Sequence, residues 1–147
     1  MQTFTVILRN ETFHLTAKQV TLEKKSVFNK HFFNDDGSRK EAAPPLVLEG
    51  DPVLFQTIAR YLDGYHVFTT FPVVIRDQLT YGCRLDDLGR DCRTYRLPIL
   101  NKMVDSERKR FTRILHSQTR KYAFASAVWV KRPVEYMRVL SFSSLKC

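Results

Sequence analysis

The chain has 147 residues, 44% of them hydrophobic, which is typical of one domain with a buried core. It contains no run of about 18 uncharged apolar residues, so the sequence predicts no membrane span. The net charge of +9 is uneven, because residues 1–105 hold 14 Lys+Arg against 13 Asp+Glu, whereas residues 106–147 hold 10 against 2. We therefore expect a nearly neutral domain over 1–105 and a basic extension over 106–147.

The chain begins with two alternating apolar runs, residues 3–9 and 12–16, which predict a β-hairpin and not a signal peptide. The side chains expected on the buried face are Phe4, Val6 and Leu8 in the first strand and Phe13 and Leu15 in the second. We place the turn at Asn10 and Glu11, because asparagine tolerates the positive φ that such a turn needs.

Capping residues then predict two short helices. Thr16 and Gln19 have the spacing of a capping box, for a helix over 17–25. Ser26 is suited to cap a second helix, over 27–33.

Residues 46–49, LVLE, form a short apolar run suited to a buried strand. The strongest helix signal follows it, with Asp51 as the N-cap, Pro52 at the first helical position and Gly64 just past the end. The apolar side chains at helical spacing between them are Leu54, Phe55, Ile58, Ala59, Tyr61 and Leu62.

The second half of the chain is less regular. Residues 65–82 are apolar but contain Pro72, which predicts an ordered loop or an edge segment. A helix is expected over 83–95, with Leu85, Leu88 and Cys92 facing inward, and a short one within 96–104 that starts near Pro98, with Ile99, Leu100 and Met103 packed.

The basic extension is expected to begin with its own amphipathic helix. Ser106 and Glu107 resemble a helix start, followed by a helix over 108–121 and two possible strands, 122–130 and 134–142. A small sheet with helices clustered on it is an α/β or α+β arrangement, and we predict that fold class.

Residues that could carry enzyme chemistry are scattered. The four histidines and three cysteines show no metal-ligand spacing, and the five glycines form no phosphate loop. We expect Asp86 and Asp87 to stabilise a helix start and not to act as an acid–base pair. We therefore predict a non-enzyme without metal or cofactor, with thiol chemistry at Cys83 as a remote alternative. Three widely spaced cysteines also favour a reducing compartment, cytoplasmic or nuclear.

Two residue sets remain as candidate binding sites. The first is an apolar excess after the strongest helix, which forms either an interface or internal packing: Tyr65, Val67, Phe68, Phe71, Val73, Val74 and Ile75, of which all but Ile75 are our partner-binding candidates. The second is a basic set that either contacts the phosphates of nucleic acid or forms a solvated helix face: Arg108, Lys109, Arg110, Arg113, Arg120 and Lys121.

Three short motifs resemble a known family. They are Asp51-Pro52-Val53-Leu54-Phe55, Tyr61-Leu62-Asp63-Gly64-Tyr65 and Asp91-Cys92-Arg93-Thr94-Tyr95. Their order and spacing are similar to those of BTB/POZ domains, in the branch shared with potassium-channel tetramerisation domains and most closely a group of fungal BTB proteins. The resemblance covers residues 3–105 approximately.

The resemblance implies a non-enzymatic protein–protein interaction module, an adaptor or signalling scaffold. Such a module would self-associate and recruit a partner, such as a cullin-type ubiquitin ligase scaffold or a phosphatase. Phe55, Ile58 and Leu62 would be structural, and the interface would lie in the loop from Tyr65 to Val74 and in nearby exposed helix ends. The alternative hypothesis is a nucleic-acid or chromatin-associated protein that uses the BTB part to dimerise and the basic segment to bind phosphates.

Overall fold

The computed structural model describes residues 2–68 and 78–126, with side chains resolved over 2–68 and 80–121. The strands are β1 (Thr3–Leu8), β2 (Glu11–Thr16) and β3 (Leu46–Leu48). The helices are α1 (Ala17–Thr21), α2 (Val27–Phe32), α3 (Pro52–Leu62), α4 (Gln78–Thr94) and α5 (Pro98–Ser126). A small sheet combined with these helices confirms the predicted α+β class.

The N-terminal hairpin forms as predicted, but its turn lies one residue earlier than expected. Leu8 pairs with Glu11, which leaves Arg9 and Asn10 as the two-residue loop. The positive φ of 52° falls on Arg9, so the assignment of that conformation to Asn10 was wrong. The predicted inward side chains of β1 are all buried, because strand residues two apart share a face.

The sheet has the strand order β2-β1-β3, with β1 antiparallel to β2 and parallel to β3. β3 is therefore an edge strand of the described sheet, and the predicted burial of this strand holds for Leu46 but not for Val47. Leu46 faces the core, while Val47 is 70% exposed. Successive side chains of a strand point to opposite faces of the sheet, so Val47 lies on the face opposite to that of Leu46.

Both predicted N-caps precede α1 and α2. Thr16 and Gln19 form a complete capping box, and Ser26 accepts a hydrogen bond from the Asn29 amide at 3.1 Å. α1 ends at Thr21, four residues earlier than predicted, and Glu23 in the following segment is buried.

α3 has the bounds and caps that its sequence predicts. The Asp51 side chain accepts a hydrogen bond from the Val53 amide at 2.9 Å, and Pro52 occupies the first turn. Phe55 and Ile58 are fully buried, so α3 crosses the centre of the core.

Tyr95 ties the end of α4 to the rest of the core. Its hydroxyl donates to the Glu49 carbonyl at 2.8 Å, and its own carbonyl accepts from the Val27 amide at 2.9 Å. A Cβ on Gly50 would collide with the Tyr95 hydroxyl, so the glycine permits this close approach. The predicted inward residues of α4, Leu85, Leu88 and Cys92, are buried as expected.

The helix predicted over 96–104 and the one predicted over 108–121 are a single helix, α5. Ser106 is an exposed residue within it and not a cap. Because residues before Ser106 already form helical turns, the amides after it have intrahelical partners and need no capping side chain. The boundary between residues 105 and 106 thus falls inside α5, and the division into a domain and an extension stays a prediction.

Further expectations fall on α4, α5 and the segments beyond them. Residues 122–126 are helical, so the strand predicted over 122–130 was wrong in this part. Its remainder and the second predicted strand, 134–142, lie outside the described residues. Ile99, predicted to pack, is 56% exposed, whereas Leu100 is fully buried. Asp86 and Asp87 lie in the third turn of α4 and not at its start, because α4 begins at Gln78.

Candidate interaction surface

The partner-binding candidates after α3 separate into exposed and packed residues. Tyr65 is 62% exposed, with the Arg60 guanidinium 5.9 Å from its ring centroid. Val67 and Phe68 are half-buried and pack against the core. Phe71, Val73 and Val74, together with Ile75, lie outside the described residues. Within the described part of this segment, Tyr65 is therefore the candidate that a partner can reach.

The motifs that carry the family resemblance meet in the core. Phe55, from the first motif, has its ring centroid 6.2 Å from that of Tyr95, from the third. Tyr61, from the second, is buried and donates a hydrogen bond to Glu23 at 2.7 Å. These aromatic residues therefore stabilise the fold, and a partner would have to contact other side chains.

A buried carboxylate, that of Glu23, joins three elements near the end of α3. Only 3% of Glu23 is exposed. Oε1 accepts from the Tyr61 hydroxyl at 2.7 Å and from the Leu100 amide at 3.3 Å, and Oε2 accepts from the Ile99 amide at 3.2 Å. Glu23 thus satisfies two of the free amides at the start of α5 from a distant part of the chain.

Burial raises the pKa of the Tyr61 phenol, and the hydrogen bond to Glu23 raises it further. The phenol therefore stays protonated and remains a donor at physiological pH. We refer to Glu23, Tyr61 and the amides of Ile99 and Leu100 as the Glu23 cap. The cap holds the α1–α2 segment, α3 and the start of α5 in one arrangement.

Two exposed apolar side chains flank the Glu23 cap. Leu22 precedes Glu23 in the sequence, and Ile99 donates its amide to Glu23. Both rank among the exposed large hydrophobic residues of the described chain, together with Tyr65, Val47 and Val53. Apolar side chains held on rigid backbone lose little entropy on binding, which makes Leu22 and Ile99 candidates for contact with another protein. The sequence predicted that Ile99 is packed. The exposed pair Leu22 and Ile99 became apparent only from the position of the buried Glu23.

Two of the predicted phosphate-binding residues form ion pairs with carboxylates of the protein itself. The Arg110 guanidinium donates two hydrogen bonds to Glu107, at 2.6 and 2.9 Å. Arg108 lies between two carboxylates, with Nε 3.0 Å from Asp86 Oδ1 and Nη1 3.5 Å from Asp105 Oδ1. The Nε contact is an ion pair without hydrogen-bond alignment. These internal partners reduce the charge that Arg108 and Arg110 can offer to a ligand.

The remaining predicted basic residues, Lys109, Arg113, Arg120 and Lys121, are exposed on α5. Sequence reasoning missed Lys102, which is also exposed on this helix. Lys102 has helical spacing to Lys109, but the helix start predicted at Ser106 assigned the two lysines to different helices.

The described residues offer little for covalent or metal chemistry. Burial raises the pKa of the Cys92 thiol to about 12, which keeps it protonated and unreactive at neutral pH. Cys83, the centre of the remote thiol alternative, is half-buried within α4 and disulfide-bonded, so it offers no free thiol. Over residues 2–68 and 78–126 there is no group of three His, Cys, Asp or Glu side chains placed to hold a metal ion. Among the helices of these residues, none is both long and apolar enough to cross a membrane.

Comparison with known proteins adds no family assignment. No protein-family model matches the chain. A search of curated proteins also finds no match. The function must therefore be argued from the geometry and from the motif resemblance.

Proposed function

We propose that this protein is a non-enzymatic protein–protein interaction module of BTB/POZ type, which self-associates and recruits a further protein. The observation that carries the proposal is the exposure of Leu22 and Ile99 beside the buried Glu23 cap. Side chains of this kind contribute to binding when they stand on a surface that does not have to reorganise.

Support for self-association comes from the combination of this surface with the motif resemblance. The resemblance implies a domain that assembles with copies of itself. The Glu23 cap supplies internally satisfied hydrogen bonds, so an interface here can bury apolar area without leaving the amides of Ile99 and Leu100 unpaired. Tyr65 follows Tyr61 by four residues and adds an exposed aromatic side chain past the end of α3.

The test compares two residues in equivalent positions. Ile99 and Val53 each follow a proline at the start of a helix, and they are 56% and 57% exposed. We expect Ile99→Ser and Tyr65→Ser to weaken self-association about tenfold or more, as truncation of an interface anchor does. Val53→Ser should leave it unchanged. The measurement is light scattering coupled to size exclusion, over about a tenfold range of protein concentration.

Circular dichroism and thermal unfolding of each variant show whether the domain remains folded. A wild-type chain that stays monomeric at the highest concentration contradicts self-association. An Ile99→Ser variant that associates like the wild type shows that the surface beside the Glu23 cap is not the interface.

A further inference from the structure

One face of α5 carries a line of basic side chains. Lys102, Lys109, Arg113 and Arg120 are all exposed, and His116 lies in the same line. At 3.6 residues per turn, these five positions fall within about 60° of the helix circumference. We call them the α5 basic stripe. With a rise of 1.5 Å per residue, the stripe is about 27 Å long.

The stripe is not neutralised by the protein itself. The acidic residues of α5 are Asp105 and Glu107, and they pair with Arg108 and Arg110. Within residues 2–68 and 78–126, no carboxylate forms an ion pair with a stripe residue. The charge of the stripe is therefore available to an external anion.

We propose that the α5 basic stripe binds the phosphate backbone of a nucleic-acid duplex, without reading its sequence. Each strand of a duplex presents one phosphate per 3.4 Å of its axis, so a stripe about 27 Å long faces several of them. The two arginines can each chelate a phosphate through two N–H groups. The lysines and arginines of the stripe are charged donors suited to phosphate contacts, which position a protein on a duplex without specifying its sequence.

The surroundings of the stripe favour nucleic acid over a membrane or an acidic protein. Every apolar side chain between Lys102 and Arg120 is buried or half-buried, so this face offers nothing to insert into lipid. A protein partner is anchored mainly by apolar or aromatic contacts, whereas the stripe is bordered by the exposed residues Ser106 and Ser117 and by the carboxylate of Asp105, which forms an ion pair within α5. A purely electrostatic line of this length suits a regular polyanion.

The experiment uses fluorescence anisotropy of the full chain with a labelled DNA duplex of mixed sequence, about 20 base pairs long and hence longer than the stripe. The test variant carries Lys102→Gln, Lys109→Gln, Arg113→Gln and Arg120→Gln. The matched control removes the same charge from exposed lysines elsewhere, through Lys18→Gln, Lys24→Gln, Lys25→Gln and Lys30→Gln.

For four phosphate contacts, the logarithm of the binding constant should fall with the logarithm of salt with a slope of about −3.6. This corresponds to about a hundredfold loss of affinity between 50 and 200 mM salt. The stripe variant should lose most of the binding and most of this slope, and the control should retain both.

Equal losses in the two variants, or no binding by the wild type at 50 mM salt, overturn the proposal. It is also overturned if vesicles containing phosphatidylserine, or poly-glutamate at equal charge, compete as well as unlabelled duplex does. Light scattering of the stripe variant is expected to match the wild type. A failure of nucleic-acid binding is therefore distinguishable from a failure of self-association.

Discussion

The first turns of α3 and α5 look alike but are held in different ways. Each begins with a proline followed by an exposed β-branched residue, Val53 in α3 and Ile99 in α5. The Val53 amide is satisfied by Asp51, two residues away, at 2.9 Å. The Ile99 amide is satisfied by Glu23, 76 residues away, at 3.2 Å.

The difference separates two ways of ending a helix. The cap of α3 is available as soon as a few neighbouring residues adopt their local conformation. The cap of α5 exists only after the segment between α1 and α2 has met the start of α5. A change at Asp51 therefore affects one helix end, whereas a change at Glu23 affects the junction of three elements.

The largest expected effect comes from removing the distant cap. Glu23→Ala leaves two amides and the Tyr61 hydroxyl without their acceptor, and a buried unsatisfied group costs about 1–3 kcal/mol. We expect the free energy of unfolding to fall by about 3 kcal/mol, against about 1 kcal/mol for Asp51→Ala, a typical N-cap loss. Urea denaturation followed by circular dichroism measures both.

Glu23→Gln retains an acceptor oxygen in nearly the same volume, so it should cost less than Glu23→Ala. If Glu23→Ala proves no more harmful than Asp51→Ala, the distant cap has no special role, and the contrast between the two helix starts is lost.

A smaller effect is expected at the opposite helix ends, where α3 and α4 share one motif. Gly64, with φ of 90°, and Arg96, with φ of 55°, each follow a helix in the left-handed conformation. The next amide bonds a carbonyl five residues back in both, from Tyr65 to Arg60 at 3.1 Å and from Leu97 to Cys92 at 2.8 Å.

The left-handed conformation costs a residue with a Cβ about 1–2 kcal/mol, a cost that glycine avoids. Arg96→Gly should thus stabilise the protein by about 0.5–1 kcal/mol, because the greater freedom of glycine in the unfolded chain offsets part of the gain. Gly64→Ala should destabilise it by about 1 kcal/mol. Nothing lies within 4 Å of a Cβ on Gly64, so the loss there is purely conformational.

Thermal unfolding at several denaturant concentrations measures both changes. Arg96→Ala is the control, since it removes the arginine side chain but keeps a Cβ, and it should not stabilise. Stabilisation by Arg96→Ala equal to that of Arg96→Gly would assign the effect to the side chain and not to the backbone.

The smallest expected effect is a dependence on pH at Glu107, which has both a local and a distant partner. Arg110 holds the pKa of Glu107 below its ordinary value, with a further contribution from the Tyr81 hydroxyl at 2.7 Å. Because the pKa in the folded state is lower than the unfolded value of about 4.3, the stabilisation is present above that pH. It is lost as the pH falls through the folded pKa.

Glu107→Gln should remove this part of the acid sensitivity, so that its stability falls less than that of the wild type between neutral pH and about pH 3. The change should stay below about 1 kcal/mol, since the Arg110 side chain is half-exposed and screened by solvent. Urea titrations at a series of pH values check it, and parallel pH profiles for the two proteins would contradict it.

The same contrast between local and distant partners explains which predictions succeeded. The capping box of Thr16, the N-caps Ser26 and Asp51, and the inward faces of β1, α3 and α4 were all predictable. Each depends on residues within about four positions of one another. At such short separations, the spacing in the sequence is enough to predict which groups are in contact. The short apolar run of β3 was also identified, although its place at the edge of the sheet was not.

Less of the candidate sites than of the fold could be predicted from the sequence. An exposed Tyr65 and the basic residues of α5 were identified, but not the packing of Val67 and Phe68 against the core. Spacing allows Arg108 and Arg110 to pair with carboxylates three residues earlier, but it equally allows Lys109 to pair with Asp105, and only the structure shows which of these pairs form. Which side chains are exposed and which ion pairs form depends on the folded structure and cannot be read from composition.

Periodicity and capping are properties of adjacent turns, so the sequence was sufficient to predict the class of the fold and the local signals of most of its elements. The folded structure alone shows that α5 continues past Ser106 and that Glu23 lies buried at its start. It also decided which apolar and basic side chains reach solvent. The physical reason is that a buried carboxylate depends on partners brought together by folding from distant parts of the chain.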